Sequence, residues 1–333
     1  SITLDLDYLE ARELFLELVK ISDILIENFS PRVMSNWELD YENLKKWNRK
    51  LIMLSLSSMG QTGPWKDYVG LGPTVQALGG LTYLTSYDQD EPIGLGYAYA
   101  DMVSGLYGAI SVLAALEYRD RTGQGQHIDL SEYEAVCTTI GPALLDAAVN
   151  LNEILPTGNE DPDTGAAPHG CYQCLGEDRW CVVAVFTEDQ WQALCQVLGH
   201  PAWVGSEKFS SLSSRKKYRD ELNKHMGRWM AGQVAEKAVE RLQQAGVPAG
   251  VVQNAEDLAR DPQLLFNDFF VALDHPVLGK VKTDGYPFKL RGGGPGSWKA
   301  APLLGEDNEY VFGKLLGLPP ALIRSYAERG IIA

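Results

Sequence analysis

Asp101 is the residue whose setting is least ordinary. It stands at the mouth of the run Met102 to Arg119, which is almost wholly apolar and helix-compatible. A carboxylate there has two uses. It can cap the helix, accepting the orphan amide protons of the first turn, or it can be held near those amides as a nucleophile able to attack a carbonyl carbon. Two other stretches have the residue types for chemistry. His169-Gly-Cys171-Tyr-Gln-Cys174 has the look of half a zinc site, but no second half with ligand spacing follows. Cys181 lies in an apolar strand-like run and Cys195 in a helical one, whereas structural zinc takes four closed ligands, so no metal is expected. Gly292-Gly-Gly-Pro-Gly-Ser297 resembles a phosphate loop only superficially. It lacks the Lys-Ser/Thr end and the helix start of a phosphate cradle and reads as a flexible connector.

Composition narrows the partners. The net charge of −15 argues against a general nucleic-acid surface, since non-specific affinity there rests on many Lys and Arg contacts to phosphate. No uninterrupted apolar run reaches the roughly 18 residues of a spanning helix, and the first residues lack the basic-then-apolar order of a signal peptide. The expectation is a cytoplasmic protein with neither membrane nor nucleic-acid partners. Five cysteines, an odd number in a long chain, fit reduced thiols better than a disulfide framework.

The elements that must position Asp101 follow from periodicity. Ser1 to Leu6 alternates as a half-buried strand, and Asp7 with Glu10 signals a helix carrying Leu9, Leu14, Leu18 and Val19. Asp23 to Glu27 and Leu51 to Leu56 read as strands around a helix at Asp40 to Trp47. The long loop Ser57 to Gly72 precedes a short helix, Pro73 to Leu78, that stops at Gly79-Gly80. After the Asp101 helix, His127 to Leu130 is a strand, and Ser131 with Glu134 forms a capping box for a helix kinked at Pro142. This alternation predicts an open, doubly wound, Rossmann-like parallel sheet in a large α/β domain, 1–151. A linker, 152–168, leads to a small α+β domain, 169–284. There Trp180 to Phe186, Gly246 to Val252, Phe269 to Leu273, Lys280 to Thr283 and Tyr286 to Leu290 are strand-like. Helices are expected after the Thr187–Gln190 cap, at about 213–231 and 233–245, and beyond Asn254. A second linker, 285–300, precedes C-terminal helices, 301–333, separated by Pro319-Pro320 and returning to the large domain.

Several blocks converge on one family. Asp23-Ile-Leu-Ile-Glu-Asn-Phe29, Ser55-Leu-Ser-Ser-Met-Gly-Gln-Thr-Gly-Pro64, Val75-Gln-Ala-Leu-Gly-Gly80, Ala100-Asp101, Arg119 to Asp129, Gly246-Val-Pro-Ala-Gly250 and Ala301 to Glu306 occur in order over nearly the whole chain. In them the chain resembles the class III coenzyme A transferases, a group that includes formyl-CoA transferase, the carnitine CoA-transferase and the α-methylacyl-CoA racemases. The resemblance implies that Asp101 is the catalytic residue, forming first a mixed anhydride and then an aspartyl-CoA thioester. It implies acyl-CoA and a carboxylic acid as substrates, with no tightly bound cofactor. It also implies CoA contacts from Asn28, Phe29 and Arg32 beyond a strand end, and from Leu4 and Leu6 against the adenine, although those leucines read equally well as core. Gly105 and Gly108 are places for close approach of backbone or CoA, or for helix packing.

The chain also departs from the family. Basic residues that some relatives set against CoA phosphates fall at Asp7, Asn36 and Ser58. The family's first βα segment is not in this sequence, so that a partner chain is one way to complete the site. The racemases pair the Asp with a His that falls at Leu71 here, and leucine does no acid–base work. His169 is the other imidazole considered. Transfer is therefore expected ahead of racemisation, with a non-catalytic subunit of a transferase complex as a third reading. The family fold implies an interlocked homodimer. Trp37, Trp65, Tyr97 and Tyr99 could line an acyl pocket, but they do not choose among acids.

Overall fold

Three short apolar runs pair as parallel strands: β1 (Ile24–Glu27), β2 (Ile52–Ser57) and β3 (His127–Ser131), with β2 in the centre. Ile24 lies opposite Ile52, and Ser57 opposite Ser131. Ile52, Met53 and Leu54 are nearly continuous in burial, the pattern of a strand covered on both faces. The computed structural model describes residues 1–159, 165–291 and 298–332. They fall into two units, Ser1–Pro156 with Ala301–Ala333, and Thr157–Ala300.

Between β2 and β3 runs the longest helix, Tyr99–Thr122. It lies on the sheet where it has no side chain: a Cβ on Gly108 would sit 3.0 Å from Leu54 Cδ2. Leu54, Val112 and Leu130 form the core between helix and sheet, with Ile24, Leu56, Leu116 and Ile128 around them. At the far end Arg119 pairs with Asp23 Oδ1 at 2.9 Å and donates to the carbonyls of Asp23 and Lys50, just ahead of β1 and β2. The helix stops at Gly123, whose φ of +74° is the left-handed conformation glycine adopts freely. Its length and mean hydropathy of 1.4 also satisfy the requirements of a membrane span, so the sequence-based expectation of none needs this qualification. Met102, Leu106, Ile110 and Leu113 on its outer side are 62–68% exposed.

The start of the chain departs from expectation. Ser1 to Leu6 forms no strand. Instead Thr3 N donates to Asn308 Oδ1 and Asp5 N to the Ile331 carbonyl, both at 3.0 Å. Ile2, Leu4 and Leu6 pack around Ala11, Leu14, Phe312, Ile331 and Ile332, so the alternation of apolar residues serves a core shared with the C-terminal helices. The first helix, Leu9–Ile21, has no side-chain cap. Asp7 Oδ1 takes the Trp37 indole proton instead. Asp40 caps only Tyr41–Leu44. The helix after β3 breaks at Ile140, before Pro142 rather than at it.

The second unit holds an antiparallel sheet, β4 (His169–Gln173), β5 (Trp180–Ala184) and β6 (Ala249–Val251), and a ribbon of β7 (Phe270–His275) and β8 (Gly279–Asp284). β4 was not foreseen, because its residues were weighed as metal ligands rather than as an alternating run. Thr187 and Gln190 form the expected capping box of Glu188–Val197. The 213–231 segment is two helices, Leu212–Lys217 and Arg219–Met230, and Tyr286 to Leu290 is not a strand. The Gly292–Ser297 stretch lies outside the described residues. Arg215 is 1% exposed. It is held by Glu188, by the carbonyls of Ala167 and Phe209, and by the Trp191 ring 4.6 Å away, so its buried charge is fully partnered.

Two glycines separate packing from permissiveness. A Cβ on Gly125 would meet the Leu51 carbonyl oxygen at 1.9 Å, whereas one on Gly105 meets nothing within 4 Å. Gly125→Ala is expected to cost about 2–4 kcal/mol. Gly105→Ala, in a helix interior, is expected to gain roughly 0.5–1 kcal/mol. Urea unfolding midpoints of the two variants test the contrast.

Candidate active site

The strands are parallel, so their carboxyl ends share one edge, where ligands of open α/β sheets gather. Asn28 follows β1, the Ser57 loop follows β2, and Glu132 follows β3. The long helix runs from this edge to the opposite one, where Arg119 is pinned, which places Asp101 at the ligand edge.

Three helices meet around Asp101. Val75 from Gly72–Leu78, Ala100 from the long helix and Val136 from Glu132–Thr139 form a buried cluster, with Leu81 and Tyr133 against it. The first and third helices touch at a glycine, since a Cβ on Gly79 would lie 2.6 Å from Val136 Cγ1. Drawing Ala100 into this cluster extends the long helix back to Tyr99. The cap position therefore falls to Ala98, which has no capping group, and the cap reading of Asp101 is overturned. Asp101 is the third helical residue, exposed, and accepts no hydrogen bond or ion pair among the described residues. It sits in the positive field of a helix start. Gly72, first in its own helix, lies beside it: a Cβ there would be 3.6 Å from Asp101 Oδ1 and 3.2 Å from Ala98 Cβ.

The loop from Ser57 to Gly72 is tied to the same framework. Gln61 N donates to Asp129 Oδ1 at 2.8 Å, Tyr133 N to the Ser58 carbonyl at 2.9 Å, and Ser58 Oγ to the Gly70 carbonyl at 3.2 Å. Two buried polar atoms on it, Ser57 Oγ and Gln61 Nε2, have no partner among the described residues. Buried polar atoms are nearly always satisfied, and these two stand out as exceptions. The sequence held Gln61 within a matching block without singling it out, and burial, which marks both, is not written in a local motif.

Glu132 was also missed, being flanked by the more legible cap residues. Ser131 Oγ does accept from Glu134 N at 3.2 Å, but the reciprocal half of the capping box is absent. Glu132 opens the helix half-buried, and burial together with the charge of Asp101 pushes its carboxyl above the ordinary range.

The remaining candidates are placed as follows. Asn28, Phe29 and Arg32 are exposed beyond β1. Phe29 N donates to Glu27 Oε2 at 2.8 Å and its ring meets Trp37 edge-on. Leu4 and Leu6 are partly buried packing residues, leaving only their exposed portions for a ligand. Leu71 is 72% exposed ahead of the Gly72 helix. Tyr97 and Tyr99 meet edge-to-face beside Asp101, and Trp65 stacks on Tyr68. His169, in the other unit, has Nδ1 bonded to the Asn159 carbonyl. Cys174 and Cys181 lie 3.2 Å apart, sulfur to sulfur. Burial pushes the Cys181 thiol up to about 12 and the Cys195 thiol up to about 11. Among the described residues no three His, Cys, Asp or Glu gather as metal ligands.

A probable CoA-transferase of Mycobacterium tuberculosis is 31% identical over 328 residues, 96% of this chain but 40% of that protein's length. The succinyl-CoA–D-citramalate CoA-transferase of Chloroflexus aurantiacus is 30% identical over 318 residues, 96% of this chain and 78% of its own. The solved structure of a CAIB/BAIF family protein from Brucella suis superposes with a TM-score of 0.87 at 28% identity, over 95% of this chain and 81% of that one. The profile of CoA-transferase family III matches residues 1–308, and the chain belongs to that family.

Proposed function

We propose that the protein moves CoA between an acyl-CoA and a free carboxylic acid, with Asp101 as the acyl and CoA carrier. The observation that supports this most directly is the state of Asp101: exposed, unpaired and in the first turn of a 24-residue helix at the ligand edge of the sheet.

The chemistry balances without an oxidant or a net proton. An Asp101 oxygen attacks the thioester carbonyl carbon, the C–S bond breaks, and CoA leaves as thiolate, giving a mixed anhydride. The thiolate then attacks the Asp101 carbonyl carbon, the C–O bond breaks, and the donor acid leaves as its carboxylate. The resulting aspartyl-CoA thioester passes CoA to the acceptor carboxylate by the same two steps reversed. First-turn amides, Ser57 Oγ and Gln61 Nε2 are the groups to polarise the acyl oxygens. The acyl-CoA is substrate, and the reading needs no tightly bound cofactor. Asn28, Phe29 and Arg32 would meet the CoA, with Arg32 the one basic side chain among them. Leu71 supplies no acid–base group for racemisation. The exposed Met102, Leu106, Ile110 and Leu113 face is larger than isolated apolar residues need. It fits burial in the interlocked homodimer.

Two experiments test the reading. Incubation with a panel of acyl-CoAs, followed by peptide mass spectrometry, is expected to show CoA on Asp101, and Asp101→Ala is expected to lose both adduct and exchange. Full CoA exchange by Asp101→Ala would refute the mechanism. Gly72→Ala, whose new methyl crowds Ala98 and the Asp101 carboxylate, is expected to slow adduct formation about 10- to 100-fold with little change in the unfolding midpoint.

A further inference from the structure

Glu132 and Glu134 both lie in the first turn of the third helix of this cluster; Glu134 is exposed, whereas Glu132 is half-buried, and no step written above uses it. The two helices that carry Asp101 and Glu132 are clamped by Val75, Ala100 and Val136, and further along by the Tyr107 Oη–Thr138 Oγ1 hydrogen bond at 2.9 Å. The backbone beside Glu132 is fixed as well, because Tyr133 N donates to the Ser58 carbonyl and Ser131 Oγ accepts from Glu134 N. Glu132 is half-buried, and its carboxyl has neither hydrogen bond nor ion pair among the described residues. A carboxylate needed for stability would have found a cation or a cap, and this one is held beside another acid.

We propose that Glu132 is a further catalytic residue of the transfer site that works uncharged: as an acid it donates a hydrogen bond toward the acyl oxygens on Asp101 and leaves room for an anionic acceptor, and as a carboxylate it repels that acceptor. The inference rests on Asp101 being the carrier. An acceptor acid and CoA thiolate are both anions, and a third negative charge beside Asp101 would raise the free energy of each approach.

The surroundings fix the direction. Burial raises the Glu132 carboxyl first and the Asp101 charge second, with no cation offsetting them. The Gly72–Leu78 helix carries no titratable side chain. Glu132's own helix adds Tyr133, Cys137 and Glu134, which faces solvent, and the loop adds Lys66 and Asp67. None of these is among the charges acting on Glu132. A raised carboxyl is protonated at lower pH and loses its proton as pH rises through the raised value, so the active form is lost on the alkaline side. Acylation of Asp101 removes a negative charge, so Glu132 must bind its proton less tightly in the acylated protein.

The test uses the whole protein. In the unmutated protein transfer should fall as pH rises through the Glu132 transition. Glu132→Gln, permanently neutral and still a donor, should lose that fall, whereas Glu132→Asp should retain it. Independently, 13C-carboxyl NMR of Glu132 should show its midpoint at lower pH in Asp101→Asn than in the unmutated protein. An unchanged alkaline fall in Glu132→Gln, or an unmoved midpoint in Asp101→Asn, overturns the role of Glu132. The CoA adduct on Asp101 of the unmutated protein separates the two ideas. With the adduct present, such a result removes Glu132 alone, and with the adduct absent, the carrier reading falls too.

Discussion

The bedding of one helix on one strand sets the geometry of everything at the ligand edge. Gly108 lets the Tyr99–Thr122 helix close onto Leu54, and Arg119 ties its far end to Asp23 and Lys50. A helix rises 1.5 Å per residue, so Asp101 lies roughly 27 Å from that anchor, carried across the sheet on a rigid rod. Asp101 needs no partner of its own to hold it in place. Packing fixes the rod, and that leaves the carboxylate free.

The second unit is organised by a different interaction. Arg215 is buried with a full set of acceptors, Glu188, Ala167 and Phe209, and stacks on Trp191. Glu188 keeps its carboxyl below the ordinary range because the Arg215 guanidinium bonds to it. Around this hub Leu194, Phe209, Leu222, Met226 and Met230 close the core. Removing Glu188 would leave the buried Arg215 charge without its carboxylate, which is costlier than the loss of the bond itself, whereas Glu188 is exposed and would be solvated without Arg215.

What the sequence made legible were features written locally. The apolar runs of β1 and β2, the Thr187–Gln190 and Asn254 caps, and the helix stop at Gly123 each act through neighbours a few residues away. The Asp101 helix was legible too, but not its first turn, because Ala100 becomes helical by packing on Val75 and Val136, which come from distant segments. The same limit misread Ser1 to Leu6, whose alternation suits a strand but whose partners, Asn308 and Ile331, lie at the other end of the chain. Glu132 and the unpartnered atoms of Ser57 and Gln61 were invisible for the converse reason. What marks them is the absence of a partner in three dimensions, and no spacing rule records an absence.

The empty hydrogen-bonding shell of Asp101 bears on how readily a carrier at this position is loaded. A carboxylate locked by several donors would surrender them on esterification, and the free protein would then lie in an energetic well from which acylation is uphill. Asp101 has no hydrogen bond or ion pair among the described residues to surrender. As a carrier it would be loaded without giving up a hydrogen bond of its own, while the direction of net transfer is left, as with any catalyst, to the concentrations and free energies of the two acids and their thioesters.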